Sequence, residues 1–101
     1  MNRSEVYAAI DSERDYQDRK WGTTEQRPKQ VGSWLTLLRV ILTDAEREWH
    51  GASGDEQALH ELRKLAATAT ACLEQHGVPS RFTEPPKPIV DWSVEKLEHG
   101  S

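Results

Sequence analysis

Three segments with helical periodicity constrain the fold of this 101-residue chain most strongly. Each repeats apolar residues at intervals of three and four, and each ends at a glycine, namely Gly22, Gly51 or Gly77. No segment alternates apolar and polar residues as a half-buried strand does. The pattern predicts an all-α domain of three helices, starting near Ser4 and at the N-caps Ser33 and Asp55. The second and third helices are joined tightly enough to run antiparallel.

The C-terminal residues follow another pattern. Four prolines in the ten residues 79–88 exclude a continuous helix or a central strand and predict an extended arm. Beyond them, Asp91 is predicted to cap a short helix over residues 92–99, whose apolar side chains favour docking on a neighbouring surface. The chain therefore divides into an all-α domain over residues 1–78 and a proline-rich arm over residues 79–101.

Composition limits the partners and the compartment. A net charge of −4 and the lack of a dense run of Lys and Arg argue against binding to duplex nucleic acid. The single Cys72 excludes an internal disulfide, and no apolar stretch or signal-like N-terminus suggests a membrane, so we expect a soluble cytoplasmic protein. With 36% hydrophobic and 30% charged residues the core is thin, which favours a homo-oligomer.

The stretch ERDYQDRKWG, residues 13–22, raises the question of function. On a helix, Arg14, Gln17 and Trp21 continue the apolar row of the first helix, so their side chains either line a cleft or face solvent. In a cleft, Trp21 stacks on a base, Gln17 bonds to a base edge or ribose, and Lys20 meets a phosphate. In the alternative, the charged residues pair on a solvated face and Trp21 seals the core.

Three segments together carry a family resemblance: ERDYQDRKWG, VGSWLTLLRVILTDAEREW and ALHELRKLAATATACLEQHG. They resemble small phage and prophage proteins of the MazG-like, all-α nucleoside triphosphate pyrophosphohydrolase superfamily, over residues 5–78. The most specific blocks are E-R-x-x-Q-x-x-K-W-G and E-L-R-K-x-A-A. The resemblance implies a helical homo-oligomer that binds nucleotides in a cleft between helices. Active members cleave between the α- and β-phosphates with magnesium.

The magnesium ligands that the resemblance implies are incomplete. Active members carry E-E-x-x-E on one helix and E-x-x-D on the next, because Mg²⁺ prefers hard oxygen ligands. These patterns fall on residues 40–44 and 61–64, where Asp44 and Glu61 are the acidic positions that remain and Lys64 replaces the aspartate. A shift by one turn would bring in acidic residues just downstream, Glu46 and Glu48.

Basic side chains are expected to take the place of the metal, because Lys and Arg bind phosphate oxygens directly. Such a cleft would lack the metal-bound water that attacks phosphorus. We therefore expect no cofactor and no catalytic residue, with magnesium on Asp44 and Glu61 if the protein is an enzyme. The predicted ligand-binding residues are Glu13, Arg14, Gln17, Lys20, Trp21, Arg39, Arg63 and Lys64.

Other chemically interesting residues have simpler explanations. Trp34 and Trp49 are expected to make core or subunit contacts. His50 and His60 lack a second metal ligand at reliable spacing, so a structural or solvated role is expected. Cys72 lies on an apolar row and is expected to be a buried thiol. Arg63 and Lys64 have a solvated ion pair as their alternative role.

Three functions compete. The carboxylate count favours a non-catalytic protein, encoded by a phage or mobile element, that sequesters a linear or cyclic nucleotide signal and blunts host defence. The alternative is a magnesium-dependent pyrophosphohydrolase using Asp44 and Glu61, with Glu48 or Glu13 as a further ligand. A third possibility is a protein-interaction adaptor that has lost nucleotide binding. The apolar C-terminal arm supports this alternative.

Overall fold

The computed structural model describes residues 1–51 and 54–81. Within these ranges the chain forms three helices and no strand: α1 (Arg3–Trp21), α2 (Val31–His50) and α3 (Gly54–His76). The all-α prediction is confirmed. Asp91 and the predicted terminal helix lie outside the described residues. Among the three helices, none has the length and apolarity needed to cross a membrane.

The helix ends follow local hydrogen bonding. At the start of α1, the side chain of Asn2 accepts a 2.9 Å bond from the backbone N–H of Glu5, so Asn2 is the N-cap and α1 starts one residue before the predicted start near Ser4. Gly22 ends α1 with φ of +94°, a conformation that glycine adopts without steric cost. The predicted stop at this glycine is therefore confirmed.

The second helix starts earlier than predicted. Its N-cap is Gln30, whose carbonyl accepts hydrogen bonds from the N–H groups of Ser33 and Trp34, so Ser33 lies inside the helix and does not cap it. The side chain of Gln30 makes no capping bond. Sequence pattern misses this start because the first residues, Val31 and Gly32, carry no start signal.

The central helix is α3, which packs against both α1 and α2. Helices α2 and α3 run antiparallel, as predicted: Trp34 near the start of α2 bonds to Gln75 near the end of α3, and Trp49 in the last turn of α2 bonds to Asp55 in the first turn of α3. Their axes therefore lie alongside one another over most of their length.

Helix α1 is joined to α3 by ion pairs from neighbouring residues. Adjacent residues of α1, Glu13 and Arg14, pair with Arg63 and Glu74 on α3, which lie about three turns apart. Only long side chains pointing in opposite directions along α3 can span that distance from neighbouring positions. Helix α1 is therefore oriented by polar contacts at its middle.

The buried core of the described residues is small. Its apolar members are Trp34, which is 5% exposed, and the alanines Ala45, Ala67 and Ala71. None of the large described side chains is fully buried. The thin core expected from composition is thus present, and much apolar surface stays exposed on the protomer.

Candidate functional site

A cavity of about 500 Å³ opens between α1, the connection over residues 22–30, and the adjoining sides of α2 and α3. Its walls combine aromatic rings, basic side chains and a few aliphatic groups. This volume is within the range of small-molecule sites. The lining residues are Glu13, Arg14, Tyr16, Gln17, Asp18, Lys20, Trp21, Gly22, Thr23, Thr24, Arg27, Lys29, Trp34, Leu37, Ile41, Lys64, Thr68 and Ala71.

Arg14 fixes α1 against α3. The residue is only 7% exposed. Its guanidinium donates to Glu74 on α3 and, within α1, to Gln17 at 3.2 Å and Asp18 at 2.9 Å. Burial alone would lower the pKa of Arg14, but the hydrogen bonds and charges of Glu74 and Asp18 outweigh it and raise that pKa above its ordinary value. Arg14 therefore stays charged and paired.

Two further contacts complete the docking of α1. The amide of Gln17 donates to the hydroxyl of Thr68 at 3.2 Å, and that hydroxyl donates in turn to the backbone carbonyl of Lys64 at 2.8 Å. Arg63 pairs with Glu13 at 2.8 Å, and the Glu13 side chain is only 9% exposed. The polar stripe of α1 thus forms part of the cavity wall, and it also packs on α3, which neither interpretation of the sequence included.

The connection between α1 and α2 is held in a defined shape. Thr23 and Gln26 exchange hydrogen bonds between side chain and backbone, and Arg27 N–H donates to the carbonyl of Thr23 at 2.9 Å. Farther along, Gln75 of α3 accepts from the N–H of Lys29 at 3.1 Å and donates to the Lys29 carbonyl at 2.6 Å. These bonds hold Arg27 and Lys29 on the rim of the cavity.

Cations and aromatic rings alternate around the cavity. The ammonium of Lys20 lies 4.9 Å from the ring centroid of Trp21 and 5.6 Å from that of Tyr16, and the ammonium of Lys29 lies 4.5 Å from the ring of Trp34. Within residues 1–51 and 54–81, Lys20, Arg27 and Lys29 form no ion pair with a carboxylate.

The cavity is positive although the chain is acidic. Five Lys and Arg residues but only two carboxylates, Glu13 and Asp18, line it, whereas the whole chain carries −4. Both carboxylates are engaged by arginines, Glu13 by Arg63 and Asp18 by Arg14. The free charge available to a ligand is therefore basic, which suits an anion.

The structure brings together part of the predicted ligand set. Six of its members line the cavity: Glu13, Arg14, Gln17, Lys20, Trp21 and Lys64. Arg63 stands behind the cavity wall, bound to Glu13. Arg39 does not line the cavity and lies exposed on another side of α2.

The two predicted metal ligands do not line the cavity either. Glu61 forms a 2.9 Å ion pair with Lys64, one helical turn away on α3. Asp44 is part-buried on α2. In the described part of the chain, no group of three or more His, Cys, Asp or Glu side chains is placed to hold a metal ion.

Sequence reasoning missed several residues of the site. Arg27 and Lys29 lie in the connection between α1 and α2, outside the segments with helical periodicity, and Tyr16 was assigned no role. Gln75, which holds Lys29 and also accepts from the Trp34 indole at 3.0 Å, gave no signal, since one amide in a last helical turn is unremarkable. The basic character of the connection was the available clue.

Over residues 1–51 and 54–81, the chain is an all-α arrangement of three helices with a basic, aromatic-lined cavity. Comparison of the chain with family models, curated proteins and solved structures gives no match. The resemblance to MazG-like proteins therefore stays a prediction.

Proposed function

We propose that this protein binds a nucleotide, or a signalling molecule derived from one, in the cavity between α1 and α2, and holds it without cleaving it. The observation that carries the proposal is the set of three cavity cations, Lys20, Arg27 and Lys29, that no carboxylate neutralises within the described ranges. Phosphate oxygens are natural partners for such groups, and Arg27 offers a planar fork that matches them.

The aromatic residues supply the second half of nucleotide recognition. Trp21 is 65% exposed although it lines the cavity, so much of its side chain is accessible to a ligand. A base stacked on an aromatic ring contributes about 1 to 3 kcal/mol. Lys20 already lies over this ring, so a phosphate near Lys20 would place the attached base within reach of Trp21.

Sequestration without hydrolysis is favoured by the state of the carboxylates. Glu61 is occupied by Lys64, and Glu13 is occupied by Arg63, so two of the acidic residues that magnesium would need are paired with cations. Magnesium demands near-octahedral oxygen ligands and competes poorly for carboxylates held in this way. The MazG-like resemblance adds a phage or mobile-element origin, in which a nucleotide-binding protein would blunt host signalling.

The decisive experiment is a thermal-shift series with ATP and a cyclic dinucleotide, each in magnesium and in chelator, followed by mass spectrometry of the ligand. We expect stabilisation in chelator and recovery of intact ligand. A ligand at about 100 times its dissociation constant adds roughly 2.7 kcal/mol to the free energy of unfolding.

Matched variants sharpen the result. The double variant Lys20→Gln/Lys29→Gln should lose most of the stabilisation, while Arg47→Gln, an exposed cation remote from the cavity lining, should keep it. Glu61→Gln releases Lys64 and should raise affinity. Magnesium-dependent loss of pyrophosphate that Glu61→Gln abolishes would instead establish the pyrophosphohydrolase. No response to any nucleotide would overturn both and favour the adaptor.

A further inference from the structure

Helix α2 carries an apolar row that the described residues of its own protomer cover only in part. Positions spaced 4-3-4-3-4 along the helix are apolar, the spacing of a coiled-coil seam. They are Val31, Leu35, Leu38, Leu42, Ala45 and Trp49. Ala45 is buried, but Leu35 is 59%, Leu42 47% and Trp49 56% exposed. One edge of the row packs on α3, and the other faces away.

Helix α3 carries a second row of the same kind. Its positions are spaced 3-4-3-4 and comprise Leu59, Leu62, Ala66, Ala69 and Leu73. The three leucines are 62%, 48% and 43% exposed, respectively. The row lies on another side of α3 than Glu74, which bonds to α1, and Gln75, which bonds to α2.

Both rows emerge on the same side of the α2 and α3 pair. At about 100° per residue, Leu35 and Leu42 lie about 80° to 100° around α2 from Trp34, whereas Leu37, which lines the cavity, lies about 60° in the other direction. On α3, the centre of the row lies about 100° around the helix from Glu74 and about 160° from Gln75. The two rows form one apolar face, the α2/α3 face, opposite α1 and the cavity.

The area of the α2/α3 face is that of a stable interface. Its seven large exposed side chains amount to about 700 Å² at their exposed fractions, close to the roughly 800 Å² that each partner contributes to a specific complex. Soluble monomers rarely expose apolar patches above about 300 to 600 Å². Two antiparallel helices with seam spacing are also half of a four-helix bundle.

We infer that the α2/α3 face is covered by a second copy of this chain, related by a two-fold axis that passes beside Leu42. In this arrangement the two α2 helices run antiparallel, so Leu35 meets Trp49 of the partner subunit. The same register brings Arg39 opposite Glu46 of the partner subunit. Both side chains are exposed beside the row, and neither forms an ion pair within the described residues.

The charges at the edge of the row are what a two-fold interface requires. In a two-fold interface every contact occurs twice, because a group of either subunit meets the same complementary group of the other subunit. Arg39 and Glu46, two turns apart on one side of α2, meet this condition because each is the complement of the other. The inference gives Arg39 a role at the interface and is independent of nucleotide binding in the cavity.

The first test is the molar mass of the full chain by light scattering, with circular dichroism as a check on folding. We expect twice 11.5 kDa for the native chain and a monomer for Leu42→Glu, which puts two like charges beside the axis. The matched control is Val40→Glu, since Val40 is 52% exposed on another side of α2, and it should remain a dimer.

The second test is a charge exchange across the axis. Arg39→Glu should raise the dissociation constant of the dimer at least tenfold, and the double variant Arg39→Glu/Glu46→Arg should restore it. Lack of restoration would overturn the proposed register. A native monomer, or equal effects of Leu42→Glu and Val40→Glu, would overturn the interface. A native monomer in which the α2/α3 face is protected from hydrogen exchange would assign residues 82–101 of the same chain as its cover.

Discussion

The indole N–H of Trp34 and the backbone N–H of Lys29 share one acceptor, the side-chain oxygen of Gln75, at 3.0 and 3.1 Å. A single amide near the end of α3 therefore orders both the aromatic wall of the cavity and its basic rim. The amide nitrogen of Gln75 returns a bond to the Lys29 carbonyl, so the group uses its donor and acceptor at once.

Replacing Gln75 with methionine should loosen the connection between α1 and α2. Methionine keeps the length of the side chain, but its sulfur is only a weak acceptor for Lys29 and Trp34 and cannot donate to the Lys29 carbonyl. We expect faster hydrogen exchange at the Lys29 amide, measured by NMR, with the helices intact. Gln57→Met, an exposed substitution on the same helix, should leave that rate unchanged. Equal exchange rates in the two variants would show that Gln75 does not hold the connection.

Replacing Arg14 with methionine should destabilise the protein by about 2 kcal/mol, because a buried cation network is lost. The loss stays below that of a fully buried pair, since the side chains of Glu74 and Asp18 are 49% and 34% exposed and regain water. Urea unfolding provides the measurement. Arg19→Met, at an exposed site on the same helix, should change stability by less than about 0.5 kcal/mol. Similar midpoints for both variants would refute the role of Arg14.

Thr68→Val and Thr70→Val form a matched pair on α3. Both hydroxyls donate to the backbone carbonyl four residues earlier, but only Thr68 also accepts a bond from Gln17 of α1. We expect Thr68→Val to cost about 1 kcal/mol more than Thr70→Val, since Gln17 loses a partner in a part-buried site. Thermal or urea unfolding of the two variants measures the difference. No difference between them would mean that this contact does not stabilise the docked position of α1.

Trp21→Leu should weaken binding of the nucleotide identified by the thermal-shift series about tenfold, because stacking of a base on the indole is lost. Titration calorimetry gives the affinity without depending on tryptophan fluorescence. Tyr7→Leu is the control, since Tyr7 is an equally exposed aromatic residue on α1 that does not line the cavity. If both variants bind like the native chain, the ligand does not stack on Trp21.

The sequence predicts the helices well because their signals are local. Glycines stop α1, α2 and α3 where the apolar periodicity ends, at Gly22, Gly51 and Gly77. The N-cap of α2 lies three residues before the predicted Ser33, and the sequence misses it because the side chain of Gln30 forms no capping bond. An N-cap residue whose side chain makes no capping hydrogen bond cannot be predicted from a single sequence.

The candidate site is predicted in part, and the gap has a physical reason. Helical spacing places Arg14, Gln17 and Trp21 in one row, and all three line the cavity. The same spacing cannot reveal that Arg14 pairs with Glu74, because these residues are separated by 60 positions. Arg14 is therefore committed to docking α1, and the cations left for a ligand come from elsewhere in the chain.

Ala67 is fully buried on the side of α3 that carries Arg63 and Glu74, the residues that pair with α1. Because its methyl group is fully enclosed, the position tolerates only the smallest side chains. Serine or glycine can replace Ala67 during evolution. Any longer side chain would push α1 away from α3 and displace the ion pairs that orient α1. A library randomised at codon 67 and selected for folded protein should return a nearly closed set of small residues.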